Sequence, residues 1–520
     1  MYSQIKSGSL YGLTSEQVLV ETDLSPGLPA FNVVGLPDAS VRESKERIRA
    51  AIINSGYKFP AKRITINLAP AGTRKEGTHF DLPIAMGVMA SSGYVRKQKT
   101  AAYAFLGELS LDGRINRING ALPLVIGLRN QGIRRILIPE DNAEEASVIE
   151  DVLIYPVKNL REIIEFFEGE KELFPYKKKD IKQSKIIQES ADFIDVAGQE
   201  TVKRALQIAA AASHNVLLIG PPGAGKTMMA RRMSGILPAM TYEETLEVTK
   251  IYSIAGELNS NVPMIASRPF RSPHHTISGA ALVGGGSTPK PGEVSLAHYG
   301  VLFLDELPEF NRFILEMLRQ PLEDERVNIS RLRGTVSFPA KFMLLASMNP
   351  CPCGYYGDET HECTCTQTQI RNYLSKISGP LLDRIDMHVE IMPVKYQELV
   401  DMEKLELEIA DSLPIRNSAI MRKEVEAARQ IQLERYNKEE ISYNSQLTPG
   451  LMKKYCVLDM ETKKLLETAF HQLSLSARAH NKIIKMGRTI ADMEGAERIG
   501  MKHIAEAIQY RSLDKMYRGL

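Results

Sequence analysis

The chain has no tryptophan and only five cysteines in 520 residues. Four of those five crowd between Cys351 and Cys365, which excludes the dispersed disulfide framework of a small secreted fold. No apolar run approaches the length needed to cross a bilayer, so no membrane partner is expected. The first residues, Met1-Tyr2-Ser3-Gln4, lack the charged start and apolar run of a signal peptide. Taken together, these absences set the expectation of a soluble, cytoplasmic protein. Charge of one sign is also missing. The formal net charge is +2, which excludes a global basic field, so a polyanion would have to be held by a local patch. There is no short-period repeat and no low-complexity tract. The composition that remains is ordinary for globular protein, 43% hydrophobic and 25% charged, and the length calls for about two to four domains.

Four stretches separate along the chain. Residues 1–168 alternate short β-like runs, such as Ile64-Thr65-Ile66-Asn67-Leu68 and Ile136-Leu137-Ile138, with helical patterns. A polar, lysine-rich stretch over 169–190 reads as a solvated linker. Residues 191–394 alternate strands and helices in the βα order of a parallel sheet. Residues 395–520 are charged and helical, with Ile504 and Ile508 spaced for one face of a last amphipathic helix.

The third section holds the chemistry. Asn215-Val216-Leu217-Leu218-Ile219 is a short apolar strand candidate that runs directly into Gly220-Pro221-Pro222-Gly223-Ala224-Gly225-Lys226-Thr227, and Met228 continues into a helix candidate. A glycine-rich loop between strand and helix lets backbone N–H groups approach phosphate oxygens, with the helix dipole adding positive character. In such a loop Lys226 reaches the β- and γ-phosphates of ATP, and Thr227 offers its hydroxyl to Mg²⁺. A second apolar strand, Val301-Leu302-Phe303-Leu304, delivers Asp305 and Glu306 at its carboxyl end. Downstream of a P-loop, Asp305 is expected to hold Mg²⁺ and Glu306 to polarise the attacking water.

Around these motifs the chain resembles AAA+ ATPases. Asp195-Val196-Ala197-Gly198-Gln199 is similar to the segment that wraps adenine in that superfamily. Phe342-Met343-Leu344-Leu345-Ala346-Ser347-Met348-Asn349 resembles the sensor strand whose asparagine orients water. The resemblance also implies that Arg384, in Leu381-Leu382-Asp383-Arg384, is an arginine finger acting in a neighbouring subunit, and that Arg478 is a second sensor on a helical lid. A site completed by a neighbour implies a ring, and a homo-hexamer is the expectation. An insertion containing Arg268-Pro269-Phe270-Arg271-Ser272-Pro273-His274-His275-Thr276 and a hairpin-like run from Val327 to Phe338 resemble elements that face the pore in the branch containing chelatase ATPases and replicative helicases. Arg331 and Arg333 in that hairpin are the candidate contacts to DNA phosphates.

Gly487-Arg488-Thr489-Ile490-Ala491-Asp492-Met493-Glu494-Gly495 and Asn349-Pro350-Cys351-Pro352-Cys353-Gly354 extend the resemblance, over essentially the whole chain, to the magnesium chelatase-like ComM/YifB family. It implies an α/β AAA+ P-loop core with a helical lid, preceded by an α+β Lon-protease-like domain. It also implies a hexameric helicase that drives branch migration of single-stranded or branched DNA in natural transformation. The same branch leaves open the ATPase subunit of a Mg or Co chelatase, although stand-alone chelatase subunits usually lack the Lon-like domain. A Lon-type protease is disfavoured, because His79 stands where the serine nucleophile would be and Leu122 where its lysine base would be. Finally, Cys351-x-Cys353 and Cys363-x-Cys365 present four thiols suited to a structural Zn²⁺.

Overall fold

The computed structural model describes residues 1–177, 192–259, 262–286, 289–331, 334–358, 361–393, 417–473 and 475–511. Arg333, most of the expected 169–190 linker and the 394/395 boundary lie outside the described residues.

The N-terminal region is built on a seven-stranded mixed sheet. Its strands are β1 (Tyr2–Tyr11), β2 (Thr14–Ser25), β3 (Ala30–Val34), β4 (Arg63–Ala69), β5 (Ala104–Phe105), β6 (Arg135–Pro139) and β7 (Leu153–Val157), in the spatial order β3-β4-β2-β1-β5-β6-β7. Alternation makes the sheet one-sided: Val18, Val20, Thr22 and Leu24 are buried along β2 while the residues between them are partly exposed. Helix α1 (Ala39–Asn54) is started by Asp38, whose carboxylate accepts from the Val41 N–H. Helix α2 (Asp81–Ser91) is buried along its whole length and lies so close to the sheet that a Cβ at Gly87 would sit 2.3 Å from Thr22 Oγ1. Helix α3 (Ala121–Asn130) follows Gly120, whose φ of +74° suits glycine.

The described start of the expected linker, residues 169–177, is mostly exposed but touches the N-terminal region. Gly169 ends the helix Leu160–Glu168, and the chain then folds back onto this region. Leu173 and Tyr176 pack against its core, and the Tyr176 N–H donates to Ile154 O at 2.7 Å.

The second sheet has five strands, β8 (Val216–Ile219), β9 (Phe270–Arg271), β10 (Val301–Leu304), β13 (Met343–Met348) and β14 (Met387–Glu390), ordered β9-β10-β13-β8-β14 with every pair parallel. Strands β8, β10 and β13 are buried at every residue, as expected for a parallel sheet covered on both faces. Helices α4 (Glu200–Ala212), α5 (Lys226–Ile236), α6 (Tyr242–Ala255) and α7 (Gly279–Val283) belong to this region. Helix α6 opens with a Thr241–Glu244 capping box and closes at Gly256, φ +79°. Just before β13, strands β11 (Arg326–Arg331) and β12 (Gly334–Pro339) form the expected antiparallel hairpin, with Arg331 paired to Gly334 at its tip.

Four further helices, α8 (Ser418–Arg435), α9 (Met460–Gln472), α10 (Ala477–Met493) and α11 (Met501–Gln509), share a hydrophobic core with α4, α5 and β8. The Gly487–Gly495 signature turns out to be structural. Arg488 and Arg435 both donate to the buried Asp492 carboxylate, Asn444 Nδ2 donates to it at 2.8 Å, and a Cβ at Gly487 would meet Ile504 Cδ1 at 2.6 Å. A second buried cluster ties this layer to the sheet: Lys482 lies 2.8 Å from Asp386, whose other oxygen accepts from the Asn215 N–H. Burial opposes ionisation of Asp386, but Lys482 and His214 outweigh it and hold the carboxyl well below its usual range. No helix among the described residues is long and apolar enough to cross a membrane.

Candidate nucleotide site

Parallel strands bring their carboxyl ends to one edge of a sheet, and here the three adjacent strands β8, β10 and β13 bring the motif residues together. The loop leaving β8 needs its glycines for two reasons. Gly223 (φ +78°) and Gly225 (φ +87°) adopt left-handed conformations, and a Cβ at Gly220 would collide with Ile391 O at 2.3 Å. Pro221 and Ala224 are buried beneath the loop, while Pro222, Gly223 and Met228 face outward. Lys226 opens α5 and donates through Nζ to Gly220 O (2.7 Å), Pro221 O (2.8 Å) and Asn349 Oδ1 (2.9 Å). Burial lowers its pKa, with Asp305 and Glu306 pulling the other way.

Thr227 Oγ1 donates to Asp305 Oδ2 at 2.6 Å, and the Ser347 hydroxyl donates to Asp305 Oδ1. A hydroxyl and a carboxylate meeting at the first turn of a P-loop helix are hard oxygen donors of the kind Mg²⁺ takes, so these residues fit the ion the AAA+ family implies. Glu306 extends from the end of β10, 62% exposed. Thus the strand ends bring two polar pairs together, Lys226 with Asn349 and Thr227 with Asp305, and Glu306 follows Asp305.

The remaining candidates lie around this group. Gly198 and Gln199 both have positive φ just before α4, and Gln199 Nε2 donates to Met392 O beyond the end of β14. Arg384 follows the short helix Gly379–Leu382. It donates to Pro380 O at 2.7 Å and to the carboxylate of Glu323. Arg478, exposed in the first turn of α10, adds its charge to that of Arg384, and together they hold Glu323 below the usual carboxylate range. Of the two, Arg384 alone bonds that carboxylate. Glu325 is engaged as well, accepting from Gln446 Nε2 at 2.9 Å.

Directly after Asn349 comes the cysteine loop. The four Sγ atoms of Cys351, Cys353, Cys363 and Cys365 lie within 4.8 Å of one another, with the Cys351–Cys353 and Cys351–Cys363 pairs at 3.3 and 3.7 Å. Tetrahedral Zn–S bonds place sulfurs about 3.8 Å apart, so the donor set suits that ion. The loop also abuts the P-loop, since a Cβ at Gly354 would sit 2.4 Å from Pro222 Cδ.

In the N-terminal region the positions matching Lon's catalytic pair are sealed. His79 is buried, its Nε2 lies 2.9 Å from Gly8 O, and burial pushes its pKa down to about 4. Leu122 is fully buried in α3. The Leu122 N–H donates to buried Glu145, which also accepts from the Ser253 hydroxyl of α6, and the Gly120 N–H donates to Ser253 O at 2.9 Å. These bonds join the N-terminal region to the nucleotide-binding region. Tyr11 OH adds another, donating to Thr335 O of the hairpin at 3.0 Å.

Two features of this arrangement escape a reading by motif. The first is the Ser253–Glu145 joint, between residues 108 positions apart. The second is His275, quoted in the sequence only as part of the insertion, whose Nδ1 lies 3.7 Å from Glu306 Oε2. The available signal for His275 was its place just past the β9 edge strand that pairs with β10.

Comparison with known proteins covers nearly the whole chain. The family profile "Magnesium chelatase, subunit ChlI" matches residues 192–399, "Subunit ChlI of Mg-chelatase" matches 20–142, and "Magnesium chelatase, subunit ChlI C-terminal" matches 416–511. The chain is 41% identical over 520 residues to the competence protein ComM of Haemophilus influenzae, covering 99% of this chain and 98% of that one. It is 42% identical over 505 residues to YifB of Salmonella typhimurium, covering 97% and 96%. A shorter likeness, 32% over 145 residues and 26% of each chain, links it to Lon protease 2 of Bacillus subtilis.

Proposed function

Since the chain belongs to the magnesium chelatase-like ComM/YifB family of AAA+ ATPases, we propose that it is an ATP-driven ring motor, a homo-hexamer, that acts on single-stranded or branched DNA as a branch-migration helicase. The observation that carries the ATPase part is the convergence of Lys226, Thr227, Asp305 and Asn349 at the carboxyl ends of three adjacent strands. Lys226 and the loop amides bind the phosphates, and Thr227 and Asp305 hold Mg²⁺, which supplies charge neutralisation at the phosphate oxygens. Asn349 and Glu306 orient the attacking water. Arg384 reaches a neighbouring subunit's nucleotide, exchanging Glu323 for phosphate as its anionic partner, and Arg478 on the helical lid touches the γ-phosphate. The four-cysteine loop holds Zn²⁺ and braces the P-loop through Gly354 and Pro222.

Two things support DNA as the track. The arginine-bearing hairpin β11–β12 is one, and full-length similarity to a protein named for competence is the other. The N-terminal region serves as a structural partner of the motor rather than a protease, and the location is cytoplasmic. The test is steady-state ATP hydrolysis by the purified chain with and without a branched DNA. A DNA motor speeds up when DNA is added, whereas a chelatase ATPase ignores it.

A further inference from the structure

We propose that the turn joining β1 to β2 braces the hairpin β11–β12, so that the N-terminal region sets the direction in which that hairpin meets DNA. The inference rests on the reading of the hairpin as the DNA-contacting element given above. A two-stranded ribbon is marginally stable at best by itself, and β11 and β12 pair with each other in a sheet of two strands, so what they pack on decides where they point. One arm is backed by the motor: a Cβ at Gly284, just after α7, would lie 3.1 Å from Ile329 Cδ1 of β11. The other arm is backed by the N-terminal region. Tyr11 OH donates to Thr335 O of β12 at 3.0 Å, and a Cβ at Gly12 would lie 3.0 Å from Val336 Cγ1 and 3.7 Å from Ser337 O. Leu13, next in the chain, packs against two apolar clusters at once, one holding Val336 and Phe338 of the hairpin and the other Val248 and Ile251 of α6.

The turn is built to hold such a position. Strands β1 and β2 pair without a break down to Tyr11 opposite Thr14, leaving Gly12 and Leu13 as a two-residue connection. Gly12 has φ +59°, a left-handed conformation that suits the first residue of a tight hairpin turn, and Thr14 Oγ1 donates to Tyr11 O at 2.9 Å across it. The turn is therefore the end of a ribbon that continues into the seven-stranded sheet. The region built on that sheet is docked on α6 and the residues after it through other contacts. The Gly120 N–H donates to Ser253 O at 2.9 Å, Glu145 accepts from the Ser253 hydroxyl, and Arg117 donates to Leu258 O. Anchorage and brace are thus separate, and the contacts of Tyr11 and Leu13 can be removed while the anchorage remains. None of these residues belongs to the nucleotide motifs, so the brace acts on the DNA side of the motor.

The experiment compares wild type, Tyr11→Phe, Leu13→Met, Tyr11→Phe/Leu13→Ala and Arg331→Ala/Arg333→Ala. For each, three quantities are measured: hydrogen exchange of the hairpin amides, ATP hydrolysis without DNA, and the concentration of branched DNA that half-stimulates hydrolysis. In Tyr11→Phe/Leu13→Ala the hairpin amides are expected to exchange about fivefold faster, and the half-stimulating DNA concentration to rise by a similar factor. Its hydrolysis without DNA should stay within about twofold of wild type, which a general loss of folding would not allow. Leu13→Met, which nearly conserves volume, should behave as wild type. Tyr11→Phe, which removes one hydrogen bond, should shift both readings by about twofold. Wild-type exchange of the hairpin in Tyr11→Phe/Leu13→Ala overturns the inference, as does faster exchange with an unchanged DNA response or a loss of hydrolysis without DNA. An Arg331→Ala/Arg333→Ala chain with the wild-type DNA response, or a wild type that DNA leaves unstimulated, overturns instead the reading of the hairpin as the DNA contact. Exchange is measured without DNA, so it reports on the brace whichever way that control falls.

Discussion

Two parts of this chain carry sequence patterned like catalytic machinery, and they have folded in opposite ways. At the ends of β8, β10 and β13 Lys226 bonds to Asn349 and Thr227 to Asp305, all four partly exposed, and Glu306 is open enough to meet a substrate. At residues 79 and 122 the side chains are a buried neutral imidazole and a buried leucine, closed inside a core. Nearby polar groups bond within the fold: Glu145 accepts from Leu122, Asn142 and Ser253, and Asp81 is clamped by Arg47 at 2.8 and 3.0 Å. A similar fold can thus keep its shape while its reactive positions become packing. The two regions differ in access and in the mutual contact of their polar groups.

The largest effect should come from the exposed side of this comparison. Glu306→Gln is expected to cut kcat by roughly a hundredfold or more, with ATP still bound, as loss of a positioned carboxylate does. Lys226→Ala should instead weaken binding of the nucleotide itself. Steady-state hydrolysis and analogue titration separate the two.

On the sealed side, rebuilding the dyad should break the fold before it makes a protease. Leu122→Lys places an ammonium where a fully buried leucine packs in an apolar cluster, which costs several kcal/mol. Thermal unfolding should show an early transition, and casein should stay intact in the His79→Ser/Leu122→Lys variant. Casein digestion by that variant would mean the two regions differ less than the structure indicates.

Smaller effects refine the boundary of the working site. Protein purified without chelators should carry about one zinc per chain by metal analysis, and Cys353→Ser should lose it. Because Gly354 touches Pro222, that variant should also show weaker ATP affinity, by a few-fold; zinc loss with unchanged affinity would uncouple the loop from the site. Arg331→Ala/Arg333→Ala should lower DNA affinity by about tenfold and flatten its salt dependence, since fewer counterions are released. Nucleotide binding should be untouched.

Legibility in the sequence followed the same division. The P-loop could be read because strand, glycine turn and helix are consecutive, and each residue's local role dictates its type. Asp305 and Asn349 could be placed because apolar runs announce buried parallel strands whose ends must meet. The hairpin was visible as an alternating run. The Gly487–Gly495 signature marked the family but hid its reason, which is a buried Asp492 shared by arginines from two helices. The contacts His275–Glu306, Ser253–Glu145 and Gly354–Pro222 depend on how distant segments pack, and no periodicity or spacing encodes them.

The central claim is that the exposed site drives movement on DNA. Its most direct test is conversion of a labelled branched junction to its products in the presence of ATP and Mg²⁺, comparing wild type with Glu306→Gln. The account predicts that wild type resolves the junction while Glu306→Gln binds it and leaves it intact. A wild-type protein that hydrolyses ATP yet never moves the branch would contradict it.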